Sequence, residues 1–161
     1  MAIRSFGAVA ALALAALAVP AAGGEGVSAV APSRDAAAAV AVVDAFHAAL
    51  RRGDTEAASA LLVDEALIFE EGRAERSKAE YARQHLAADA AFSKAVPSAV
   101  ARRRADAAGD LAWVATEGTT KGRFRGTDVN RVTDETMVLR RVGGAWKIVH
   151  IHWSSAQSSV E

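Results

Sequence analysis

Cysteine is absent from the 161-residue chain, and that one absence removes thiol catalysis, thiolate metal sites, a disulfide framework and a lipid-anchored cysteine. The fold therefore stands on packing alone. Net charge is also missing: nineteen basic residues balance nineteen acidic ones, so no global field draws the protein toward nucleic acid or anionic lipid. A glycine-rich phosphate loop, a nucleophile elbow and a nucleotide fingerprint are likewise absent, which leaves no motif-level case for a nucleotide enzyme or a serine hydrolase. Long apolar runs are lacking too. The longest, Phe6 to Val19, falls short of the roughly 20 residues a membrane span needs.

What that run does resemble is a secretory signal. Arg4 precedes it, and Pro20 with Ala21, Ala22, Gly23 and Gly24 follows, the layout of a signal peptide with a small-residue cleavage site. The expected organisation is a signal peptide at 1–22, a flexible leader at 23–32, one domain at 33–155 and a disordered tail at 156–161. The mature protein is then periplasmic or secreted, with no stable membrane span. One domain is what this length accommodates. The 52% apolar fraction overstates its core, because alanine supplies much of it and buries little surface.

Within the domain, Ser33 offers an N-cap, and Val43, Phe46 and Leu50 recur at helical spacing up to Gly53. Asp54 can cap a short second helix, and residues 66–71 have strand composition ending at Gly72. Ser77 and Glu80 form a capping box that predicts a third helix to about Phe92, with Tyr81, His85, Ala88 and Phe92 on its inner stripe. From Ser98 the period changes to two, and Gly109 and Asp110 turn one long strand into the next. Gly143 and Gly144 then supply the positive φ that a two-residue hairpin requires. With those two as the loop, paired residue numbers sum to 287. Glu135 then faces His152, Met137 faces His150, Leu139 faces Ile148 and Arg141 faces Trp146, all on one side of the sheet. Both sides carry apolar residues, so helices cover one and a second subunit is expected on the other.

The stretches VVDAFHAALRRGDTEAASALL, ALIFEEGRAERSKAEYARQHL and DETMVLRRVGGAWKIVHIHWSS span nearly the whole mature chain. Together with the order helix, short helix, strand, helix and four long antiparallel strands, they resemble the nuclear-transport-factor-2-like superfamily. Within it, the SnoaL-like and ketosteroid-isomerase-like proteins are nearest, especially a bacterial group classed as a domain of unknown function. The resemblance implies an α+β cone: a strongly bent antiparallel sheet wrapped around about three N-terminal helices, with an interior pocket open at one end and a homodimer formed through the sheet. It does not name a reaction, since this scaffold carries isomerases, dehydratases, cyclases and binding modules.

The candidate chemistry centres on the last hairpin. A carboxylate opposite an imidazole can fix its tautomer and raise its basicity, which makes His152, with Glu135 and His150, the candidate catalytic group. Tyr81, His85, Glu135, Met137, His150 and His152 are the candidate ligand-binding residues. The histidines lack the tight spacing of a metal motif, so neither metal nor cofactor is expected. In ketosteroid-isomerase-like pockets an acid moves the proton while a tyrosine and a protonated acid hold the oxyanion; Glu70, Glu71 and Glu117 are strand acids here, but Tyr81 is the lone tyrosine and the set does not match residue by residue. Arg102, Arg103 and Arg104 alternate sides of an edge strand and make no single patch. Three readings stay open: a domain binding a small organic molecule, an isomerase or dehydratase with a histidine base oriented by a glutamate, and a ligand-free dimeric interaction module.

Overall fold

A computed structural model describes residues 33–159; the signal peptide and leader expected at 1–32 lie outside the described residues. Helix α1, Arg34–Arg52, begins where the Ser33 hydroxyl accepts from the Ala36 amide at 3.2 Å and ends at Gly53, whose φ of 74° closes the turn. It buries Ala36, Ala39, Val43, Phe46, Ala49 and Leu50, an i, i+3, i+4, i+7 stripe. Asp54 caps α2, Thr55–Ala60, through the Ala57 amide. The capping box opens α3, Lys78–Gln84: Ser77 accepts from the Glu80 amide, and the Glu80 carboxylate accepts from the Arg76 amide.

The predicted single third helix is in fact two. It kinks at His85 and resumes as α4, Leu86–Ala95. His85 still donates its amide to the Tyr81 carbonyl and accepts from the Ala88 and Asp89 amides, so the residue at the kink keeps both backbone groups paired while the inward face turns. The buried set runs Tyr81, Leu86, Ala90, and Ala88 points to solvent.

Six strands form one curled, unclosed sheet: β1 Leu62–Glu70, β2 Arg73–Glu75, β3 Ser98–Ala108, β4 Leu111–Phe124, β5 Thr127–Val142 and β6 Ala145–Gln157, in the order β2-β1-β6-β5-β4-β3. β1 lies parallel to β6, and the other neighbours are antiparallel. β6 continues two residues into the segment expected to be a tail. The closing hairpin turns on Gly143 and Gly144 at φ 58° and 83°, with Val142 opposite Ala145 as their positive φ requires.

The hairpin register departs from expectation once, and that departure decides the site. Pairing sums to 287 as far as Leu139 with Ile148, after which a bulge adds one residue to β6 and Val138 pairs with His150. Beyond the bulge every side chain of β6 changes sides. Glu135 therefore faces Trp153, and His152 faces Thr136.

Counted across the strands, the inner face is built in rungs. One is apolar through its middle: Glu75, Ile68, Ile151, Met137, Val114, Ala105. Its five apolar members pack with Val43, Phe46 and Leu50 of α1 into the core, Ala105 at its margin. The next rung, two residues along each strand and on the same face, runs Arg73, Glu70, Trp153, Glu135, Thr116, Arg103. It is polar apart from one tryptophan. Only Glu135 of this rung is buried; Glu70, Trp153, Thr116 and Arg103 are partly exposed and Arg73 is exposed, so the rung lies at the margin of the core.

Candidate functional site

Two groups of polar side chains meet the polar rung, one on either side of Trp153. The first joins α1 to β5. His47 Nε2 lies 2.7 Å from Glu135 Oε2, and the Trp153 indole donates to the same oxygen at 2.7 Å. Arg103 donates to Thr116 through Nε at 3.0 Å and to Asp44, one turn before His47, through Nη1 at 2.6 Å. Glu135 is 9% exposed, and burial pushes its carboxyl up. The hydrogen bond and charge of His47, the indole and the Arg103 guanidinium outweigh that and hold it below the usual carboxylate range. Its second oxygen, Oε1, is buried without a partner.

The second group joins β1 and β2 to the α3–α4 kink. His85 Nδ1 lies against Glu75 Oε1; Glu75 is only 2% exposed, whereas the His85 side chain is 26% exposed. The kink is what aims this ring at β2. Tyr81, fully buried, donates its hydroxyl to Asp89 Oδ2 at 2.7 Å across the kink. Glu70 stands on the adjacent strand. Burial, and then the charges of Asp89, Glu71 and Glu75 against the opposing effect of His85, push its carboxyl up to about 7. Asp89 is raised by burial despite the Tyr81 hydrogen bond and the nearby His85. Burial and the charge and hydrogen bond of Asp89 raise the Tyr81 phenol, which stays protonated.

Aromatic rings fill the space between the groups. Trp153 stacks on Phe46 with centroids 6.3 Å apart and lies tilted against Tyr81 at 6.4 Å. Two hollows open elsewhere: one of about 260 Å³ between α2 and α3–α4, lined by Thr55, Glu56, Ser59, Ala82, Leu86 and Ala87, and one of about 130 Å³ over β3–β5 beside Arg102, Arg104, Glu117 and Thr136. Neither is lined by His85, Glu70 or Asp89; of the kink group, the His85 ring is 26% exposed. Among the described residues no cluster of three or more His, Asp or Glu side chains is arranged to hold a metal ion.

Of the residues singled out in the sequence, Tyr81, His85, Glu135 and Met137 lie on the helix-covered side. His150 and His152 do not. The bulge puts them on the outer face, where His150 bonds the Leu67 carbonyl at 2.8 Å and both imidazoles meet the Phe69 ring edge to face. The expected Glu135–His152 pair is therefore replaced by Glu135–His47. Glu71 sits in the turn after β1 at φ 48°, and Glu117 is on the outer face with Arg102 opposite it. Three residues, His47, Glu75 and Asp89, escaped the sequence reading, and Arg103 entered it only as an edge-strand charge. His47 falls on the same α1 stripe as Val43 and Leu50, a signal that was available. Glu75 belongs to a three-residue strand too short to show a period, while Asp89 and Arg103 carried no signal that set them apart from surface charges.

The SnoaL-like domain pattern matches residues 39–158. No curated protein matches the sequence. Among solved structures, a protein from Shewanella frigidimarina assigned provisionally as a ketosteroid isomerase is 36% identical, covering 73% of this chain and 94% of its own with a TM-score of 0.68. A Streptomyces avermitilis protein, assigned provisionally as a dehydratase of the NTF2-like family, is 21% identical over 77% of this chain and 97% of its own, with a TM-score of 0.67. A protein from Novosphingobium aromaticivorans, described as NTF2-like with a cystatin-like fold, is 18% identical over 79% and 84% at a TM-score of 0.62. The last two show the fold alone. The curled six-stranded sheet under its helices, the pattern match and the Shewanella likeness agree: this chain belongs to the SnoaL-like domain family of the nuclear-transport-factor-2-like superfamily.

Proposed function

We propose that this domain binds a small, largely apolar organic molecule at the α3–α4 kink and moves a proton on it, in the manner of an isomerase or dehydratase acting beside a carbonyl. One observation carries the reading: a partly exposed imidazole, His85, packs its Nδ1 edge against the Glu75 carboxylate, which is buried to 2% exposure. That arrangement leaves Nε2 as the working nitrogen and matches the logic of an oriented general base. Glu70, near 7, is suited to receive that proton and return it. Asp89, raised by burial and held by Tyr81, is suited to donate to the oxygen on which charge develops. The provisional assignment of the Shewanella relative points to the same class of reaction. The test is hydrogen–deuterium exchange at the carbon beside the carbonyl of 2-cyclohexenone in D₂O, followed by NMR with the protein lacking residues 1–32. Exchange above the buffer rate that vanishes in His85→Ala supports the reading, and exchange that survives it refutes the role of His85.

A second copy of the chain on the outer face is favoured by a different observation. Phe69, Leu111, Trp113, Val132 and Val142, between 38% and 55% exposed, all lie on that face, an unusual concentration for an uncovered surface. Sedimentation velocity of the wild type against Trp113→Glu tests this, a monomer in both cases counting against it. The N-terminal segment carries the third proposal, export to the periplasm or medium. Among the described residues no helix is long and apolar enough to cross a membrane. N-terminal sequencing of protein recovered outside the cytoplasm, expected to start near residue 23, checks it.

A further inference from the structure

Resting on the second-copy reading of the outer face, we propose that two copies pack sheet against sheet about a two-fold axis that crosses the strands at the level of Ala105, Val114 and Met137. Each Trp113 is then seated in the hollow at the partner's Ala115, and each Asp106 is paired with the partner's Arg104. The side chains at the level of the axis point inward, so the axis passes between two rungs of the outer face. One runs Asp106, Trp113, Val138 and the other Arg104, Ala115, Thr136. A two-fold lays each of these rungs on the other rung of the partner.

Shape and charge both match in that register. Trp113 stands 41% exposed, and the smallness of Ala115, two residues on, leaves the hollow of about 130 Å³ between Arg104 and Thr136. Among the described residues, Arg104 and Asp134 make no side-chain hydrogen bond or ion pair within the chain, and Asp106 accepts from the Ala107 amide alone. Across the axis Asp106 meets the partner's Arg104, and Arg140, which also holds Glu65, meets the partner's Asp134, each contact occurring twice. Farther out Val142 meets the partner's Val132, both exposed in the single chain. Glu117 meets the partner's Leu111 and Arg102 the partner's Ala108, with no like charge opposite, and toward β6 His150 lies over the partner's His152. Face-to-face sheets keep their strands within about 30° of each other, so the pairs nearest the axis hold this register best.

Other axes match less well. A shift of one residue stacks Arg104 or Asp106 on its own copy, and a shift of two toward Thr116 lays Arg102 on the partner's Arg104. An axis along the strands between β4 and β5 sets Glu117 on the partner's Asp134. Like charges placed face to face are strongly disfavoured at an interface.

Sedimentation velocity on the purified protein, with two exposed positions reversed in charge, tests the register. Arg104→Glu sets acid against the partner's Asp106, and Asp106→Arg sets base against the partner's Arg104, so each variant alone should dimerise about a hundredfold more weakly than the wild type. An equal mixture of the two should dimerise again, because every facing pair in the mixed dimer is of opposite sign. Ala115→Leu, which fills the hollow, should also give a monomer. A wild type that dimerises, with either charge variant still dimeric, with the mixture still monomeric or with Ala115→Leu indifferent, overturns this register and leaves the second-copy reading standing. A monomeric wild type overturns both.

Discussion

His47–Glu135 and His85–Glu75 are the same chemical pair, an imidazole on a helix against a buried carboxylate on the sheet, yet their surroundings are opposite. Around Glu135 stand Arg103, the Trp153 indole and His47, and its carboxyl is held ionised despite burial. Around Glu75 and His85 stand further carboxyl groups, and the nearest of these, Glu70 and Asp89, are pushed up instead. Composition alone makes these two pairs look equivalent. Their neighbours make one a latch between α1 and β5 and place beside the other carboxyls pushed above their usual range by burial. Perturbed carboxyls are what a catalytic site needs and what a structural pair avoids.

The largest effect that separates them should be on chemistry. His85→Ala is expected to lower deuterium exchange about a hundredfold, within the range for loss of a general base, and also to lower the urea midpoint, because it leaves the Glu75 carboxylate, 2% exposed, without its imidazole. Glu75→Gln, which keeps the volume and loses the charge, should lower exchange about tenfold and move its pH profile, the signature of a positioning residue. If both variants unfold at lower urea with exchange unchanged, the kink pair is a second latch and the contrast disappears.

Next in size is stability at the other pair. Glu135→Leu removes the acceptor shared by His47 and Trp153; breaking a buried pair from one side costs about 3 kcal/mol or more. Urea denaturation measures it directly. A loss well below 1 kcal/mol would mean that the latch contributes nothing net.

The two glutamates also give opposite pH windows. Glu135 is lowered from 4.5 in the fold, so its contribution is present above the unfolded value and is lost as pH falls through the folded one. Glu70 is raised from 4.5 to about 7, so the folded state holds a proton that the unfolded state has released. Its contribution is complete below 4.5, declines as pH rises from there to 7, and is flat beyond. Glu70→Gln should therefore flatten the stability profile between pH 5 and 7 by about 1 kcal/mol, the linkage being discounted because Glu70 is half-exposed. Stability rising over that interval in the wild type but not in the variant would reverse the assigned shift.

Much of this arrangement was legible in the sequence. The caps at Ser33, Asp54 and Ser77, the α1 stripe and the Gly143–Gly144 turn follow from local rules that the fold does not override, whereas the curled sheet was expected from the family resemblance alone. The site was read less well because three local events redirect side chains. The kink at His85 keeps its hydrogen bonds, so no breaker residue announces it. β2 is three residues long, so Glu75 has no period to betray its face. The bulge in β6 did leave a trace: the inward apolar residues are Trp146, Ile148, Ile151 and Trp153, spaced two, three, two, a change of parity that a strict period-two strand cannot contain.

The smallest predicted effect tests that reading of parity. On a regular strand, His152 would face Glu135, and its loss would strand a buried carboxylate. With the bulge, His152 is exposed on the outer face beside Phe69 and Thr136, while Glu135 keeps His47 and Trp153. His152→Ala should then change unfolding free energy by no more than about 0.5 kcal/mol, as at ordinary surface positions, with exchange at the kink site unaltered. His47→Ala, by contrast, should destabilise the protein and raise the Glu135 carboxyl, visible by ¹³C NMR titration of the side-chain carboxyls. If the two histidines trade these outcomes, β6 is regular in solution, Glu135 pairs with His152, and the contrast between latch and proton-transfer site has to be redrawn around the last hairpin.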